Sequence, residues 1–76
     1  MKVPDKFPDG CRFYASFSGD DYVQFPDGSL FKLDDSGEEL MPRDDLPRSG
    51  AAPMSESSFL GSAAGCRAFT KSNAAE

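Results

Sequence analysis

Four adjacent pairs of carboxylates carry most of the chemical potential in this chain: Asp20-Asp21, Asp34-Asp35, Glu38-Glu39 and Asp44-Asp45. Two acids work as a general acid and a general base only where they share a site and their surroundings drive their pKa values apart. Neighbours in an extended chain point to opposite faces, and the tips of hairpins are wet, so neither condition is expected here. The chain has no histidine, which removes the commonest general base and the commonest transition-metal ligand. Cys11 and Cys66 match no metal or redox spacing, and neither has a base to activate it. The serines form no nucleophile–base arrangement. Residues 34–39, DDSGEE, are rich in oxygen but lack the alternating acids and distant glutamate of a calcium loop. The two FPDG turns precede no helix with a basic residue to hold phosphate. The expectation is a non-enzyme with no cofactor and no metal.

The elements that must position these groups are spelled twice. Residues 7–23 read FPDGCRFYASFSGDDYV and residues 25–41 read FPDGSLFKLDDSGEELM. At this offset Phe7-Pro8-Asp9-Gly10 falls on Phe25-Pro26-Asp27-Gly28, Phe13 on Phe31 and Ser18-Gly19 on Ser36-Gly37. Such a repeat marks a structural unit. Each FPDG is a turn signal, in which proline presets one dihedral and glycine takes the positive φ. Cys11–Phe17 alternates: Cys11, Phe13, Ala15 and Phe17 on one face, Arg12, Tyr14 and Ser16 on the other, the period of a half-buried strand. Tyr22–Phe25 returns, Ser29–Leu33 forms a third strand, and Glu38–Met41 closes as a fourth, stopped by Pro42. The predicted fold is therefore mainly β, a small antiparallel four-stranded meander made of two tandem hairpins. Its expected core draws on Phe13, Ala15, Phe17, Val23, Phe25, Phe31, Leu33 and Leu40, with Tyr14 and Tyr22 as the exposed aromatics.

Seventy-six residues make one small domain with a thin core. The β domain is placed at 1–48, after a loose lead-in over Met1–Lys6. From residue 49 onward the composition shifts, with Ala, Ser and Gly filling sixteen of the last twenty-eight positions. Judged by its own few apolar side chains, the 49–76 segment cannot offset its ordering entropy and is expected to be a disordered tail. No leader or long apolar run is read, so the expectation is a cytoplasmic monomer with reduced thiols, away from membranes.

The net charge of −5 is concentrated. Between Asp20 and Asp45 nine acids face only Lys32 and Arg43. That sign argues against direct nucleic-acid binding and for a basic protein surface as partner. The plainer alternative is that the acids solvate loops and keep a small protein soluble. Three functional readings follow. The chain docks on a larger protein through a sheet edge and the acidic patch. Or its carboxylates mimic phosphates and occupy a basic nucleic-acid groove. Or it is a passive structural component of a virion or assembly. The predicted contact residues are Arg12, Tyr14, Tyr22, Lys32, Asp34, Asp35, Glu38 and Glu39, all on the expected outer face or in loops.

In size, acidity, a compact β core over residues 7–41 and a loose tail, the chain resembles the small acidic proteins that bacteriophages make to seize host machinery. The nearest such family is the phage-encoded regulators of bacterial RNA polymerase, of the type made by Xanthomonas phages, with anti-CRISPR proteins second. The resemblance implies action in the host cytoplasm, by binding the polymerase and interfering with initiation or termination of transcription. It transfers no functional residues.

Overall fold

Three tight turns shape the chain. The amides of Gly19, Gly28 and Gly37 donate to the carbonyls of Ser16, Phe25 and Asp34 at 3.1, 2.9 and 2.9 Å. In each turn the glycine holds a positive φ, the geometry of a short hairpin with a glycine bulge. The computed structural model describes residues 1–74. Around the turns it forms β1 (Arg12–Ser16), β2 (Asp21–Gln24), β3 (Leu30–Leu33) and β4 (Leu40–Arg43), each antiparallel to the next. The two repeats are both hairpins, and the four-strand meander stands.

The chain continues beyond the meander. Residues 49–74 are not a disordered tail: they supply a fifth strand, β5 (Ala51–Met54), and a helix, α1 (Glu56–Ala74). The last two residues of the expected tail lie outside the described residues. β5 pairs antiparallel with β1, giving the sheet order β4-β3-β2-β1-β5. The helix begins where Ser55 caps it: Ser58 donates its amide to the Ser55 Oγ at 3.1 Å, and Phe59 donates to the Ser55 carbonyl at 3.0 Å. Glu56 in the first turn complements the helix dipole. A sequence with so much Gly and Ser forms a weak helix alone, so packing must hold it.

The register shows what it packs on. Phe13 lies opposite both Val23 and Met54, and Val23 opposite Phe31, so these side chains share one sheet face. Phe59 and Ala63, one helical turn apart, cover that face and are fully buried. The Phe59 ring lies 5.5 Å from Phe7 and 5.1 Å from Phe13, while Phe7 meets Phe13 edge-on at 5.0 Å. Because Phe59 and Ala63 belong to the same core as Phe13 and Leu40, no domain boundary falls near residue 48.

The opposite face has its own cover. β4 ends at Arg43, paired with Leu30, whereas β5 starts at Ala51, paired with Ser16 at the other end and the other side of the sheet. Residues 44–50 must therefore cross the sheet diagonally. Asp44, Asp45, Leu46 and Arg48 border one hollow with Gln24 and Leu30, which places this crossover on the face away from α1. Leu30 and Tyr22 are buried there. Tyr22 is thus not an exposed aromatic: the alternation put it on the correct face, and the crossover closed that face.

Phe17 is corrected in the other direction. It is 74% exposed, because the turn begins at Ser16 and ends the strand's alternation before Phe17 is reached. Ala15, Phe25 and Phe31 are only half-buried. The lead-in is not loose either. Leu40 donates its amide to the Met1 carbonyl at 2.6 Å, and Val3 donates to the Glu38 carbonyl at 3.0 Å, so Met1–Val3 lies along β4.

Candidate docking surface

β1 and β3 run in one direction and β2 and β4 in the other, so loops 17–20 and 34–39 leave the same end of the sheet. That topology gathers Asp20, Asp34, Asp35, Glu38 and Glu39 at one end. Asp35, Glu38 and Glu39 are exposed. Asp34 is half-buried and is a turn residue: its carboxylate accepts the Ser36 hydroxyl at 3.0 Å, and Ser36 in turn accepts the Glu38 amide at 3.3 Å. Local cations temper the cluster. Lys32 Nζ stands 3.7 Å from Asp20, and the terminal ammonium 3.5 Å from Glu39.

This acidic tip is anchored. Gly37 is buried against α1, and the Arg67 guanidinium donates to the Gly37 carbonyl at 2.8 Å. Carboxylates on such a tip hold a defined spacing, which a free loop would not give.

The other predicted contact residues occupy the sheet. Tyr14, Tyr22 and Lys32 form one cross-strand row that continues into Pro53 on β5 and Met41 on β4. Tyr14 and Lys32 are half-buried in it, Tyr22 is covered, and Arg12 is exposed at the far end of β1. The structure therefore brings together the four acids at one end, and separates Arg12 from them by the length of a strand.

Sheet-edge docking loses its expected site. β1 is interior, flanked by β2 and β5. Along β4 the outward groups of Leu40 are taken by Met1, and two residues on, the outward position is Pro42, which has no donor. Pro42 lies within the strand (Leu40–Arg43) and does not stop it. At the opposite edge the Phe17 amide bonds the Gly50 carbonyl at 3.2 Å, so the alternation of the ladder turns Pro53 outward. Both edges carry a proline at an outward position, a common guard against strand addition.

One acid faces α1. Asp21 lies beneath the helix, and its carboxyl is raised above the usual aspartate range, first by burial, then by Asp20, with a Ser62 hydroxyl partly offsetting them. A raised native pKa favours the protonated form, so this stability is present below the unfolded value and lost as pH rises through the native one. Asp21→Asn is neutral throughout and is expected to raise Tm at pH 7 by about 1–3 °C, kept small because water still reaches the carboxyl. The gain disappears when the melts are repeated near pH 3, where the wild-type carboxyl is protonated.

Both cysteines are free thiols. No described helix is long and apolar enough to cross a membrane. Compared with known proteins, the chain matches no family model, no curated protein and no solved structure. β5 and the residues beside it were missed as part of the surface. Their signal was the helix start at Ser55-Glu56-Ser57-Ser58, which implies a short structured segment before it.

Proposed function

We propose that this protein acts by binding, without catalysis, to a basic surface of a larger protein and that it does so through the acidic tip at Asp34–Glu39. The observation that carries the reading is the anchoring of that tip to α1 through Gly37 and Arg67, which holds exposed Asp35, Glu38 and Glu39 at one end of the sheet. Charge arranged in this way steers association and fixes register. Bacterial RNA polymerase is the first partner to test, on the strength of the resemblance in size, acidity and β character alone, with regulation of transcription as the consequence. The partner's complementary patch is basic and lies outside the membrane.

The test is a rate. Asp35→Lys with Glu38→Lys is expected to slow association with the polymerase about tenfold or more at low salt. Stability should change by no more than about 0.5 kcal/mol, since both positions are exposed. An unchanged on-rate removes the tip from the interface. The same anchoring favours phosphate mimicry as a second reading, because substitutes for phosphates must be held at fixed spacing. Competition by bare duplex DNA for the same partner, with steep loss of binding in salt, selects mimicry.

A further inference from the structure

At the end of β1 opposite the acidic tip, β5 departs before β1 finishes. The last paired residues are Phe13 and Met54. Beyond them the chain turns into α1, while β1 runs back through Arg12 to Cys11. In the ladder, Ala15 and Phe13 direct their backbone groups to β5, so Cys11, two residues earlier, directs its own to the place β5 has vacated. The backbone of Cys11 has no backbone partner among the described residues. The result is a groove of about 630 Å³ bordered by Pro8, Tyr14, Pro53 and Met54 on its apolar sides. That is room for a few residues of extended chain.

Its charge selects the occupant. Asp9 and Glu56 line the groove, and no cation stands within ion-pair distance of either among the described residues. Burial pushes the Cys11 thiol up, and Glu56 and then the more remote Asp27 push it further, while two carboxylates, Asp9 and Glu56, border the vacated strand position itself. Arg12 borders the groove from the other sheet face and subtracts one charge. Glu56 also serves the helix dipole, but that role needs no open apolar groove beside it.

We infer that this groove takes an extended segment of the partner protein bearing a lysine or arginine, whose backbone pairs with Cys11 and whose cation sits between Asp9 and Glu56. The apolar neighbours of that cation lie on Tyr14 and Pro53, and the contact is a short strand addition confined to the stretch of edge at Cys11, whose outward position is not a proline. The inference rests on the reading above that the protein docks on a basic partner, and gives that partner a second point of attachment.

The test uses the full chain carrying Cys66→Ser, which leaves Cys11 as the sole thiol. The probes are an acetylated, amidated hexapeptide alternating valine with arginine, and its valine–glutamate counterpart. The basic peptide is expected to slow alkylation of Cys11 by iodoacetamide, and the acidic one to leave the rate unchanged. Asp9→Asn with Glu56→Gln should weaken this protection about tenfold, and Arg12→Glu should strengthen it. Absence of protection, or equal protection by both peptides, overturns the inference. With the polymerase as partner the two readings separate. Slower association for the Asp35/Glu38 reversals with no effect of the Asp9/Glu56 pair sinks the groove and leaves the proposed function standing. Indifference to both pairs sinks the proposed function as well.

Discussion

Phe59→Ala is expected to leave the chain largely unfolded in dilute buffer. The side chain is completely buried, and its ring meets those of Phe7 and Phe13 at 5.5 and 5.1 Å. Phe7, Phe13 and Phe59 form a nest in which each ring touches the other two. Truncation of a buried phenylalanine costs about 3–5 kcal/mol, from lost burial and from the cavity left behind. At about 0.05–0.15 kcal/mol per residue a chain of 76 residues has about 4–11 kcal/mol in total, and its thin core places it at the low end of that range. Among the described residues the helix has no other fully buried large side chain, so losing this one also removes its main hold on the sheet. The measurement is far-UV circular dichroism with a urea titration. The wild type should give a cooperative transition, and the variant a reduced helix signal and a midpoint near zero denaturant. Phe59→Leu keeps most of the volume and should restore the transition with a lower midpoint. A variant Phe59→Ala that unfolds at the wild-type midpoint would show that the helix does not seat on the sheet as described.

The same residue shows where the sequence was legible and where it was not. The hairpins could be read because their determinants are local: a glycine at each turn, alternating apolar positions, and a unit spelled twice. The helix could not be read from composition, because the segment's own large apolar side chains, Met54, Phe59, Leu60 and Phe69, are too few to hold it. Phe59 does not need companions on its own helix. It fills a socket whose walls, Phe7 and Phe13, come from elsewhere in the chain. The Ser55 cap and the Phe59–Ala63 spacing were present, but a cap and one helical turn of periodicity do not outweigh so many Gly and Ser residues. Tyr22 failed for a related reason, since the crossover that buries it is a polar loop whose path depends on where β5 pairs. Among the predicted contact residues, the acidic four were legible as a cluster because turn chemistry placed them in one loop. Their anchoring to α1 was not, since it joins Gly37 to Arg67 across thirty positions of sequence.

That junction gives the second large effect. Gly37→Ala is expected to destabilise the protein by about 2–4 kcal/mol, a sum of left-handed backbone strain and overpacking. Gly37 holds a φ of +73°, and a β-carbon there would collide with the Ala63 carbonyl, lie 2.8 Å from the Cys66 β-carbon and 3.0 Å from the Arg67 amide nitrogen. These are mostly backbone atoms of a helix, which cannot swing aside as a side-chain end can. The hairpin and α1 must separate, and the 2.8 Å bond from Arg67 to the Gly37 carbonyl goes with them. Gly28→Ala supplies the control. It sits in an equivalent turn at a φ of +96°, with open space where the β-carbon would be. It should lose only the strain, about 1–2 kcal/mol. Urea midpoints for the two variants measure the difference, which isolates the contact between tip and helix. Equal midpoints would mean that the tip is not seated on α1, and the fixed spacing of Asp35, Glu38 and Glu39 would lose its physical cause.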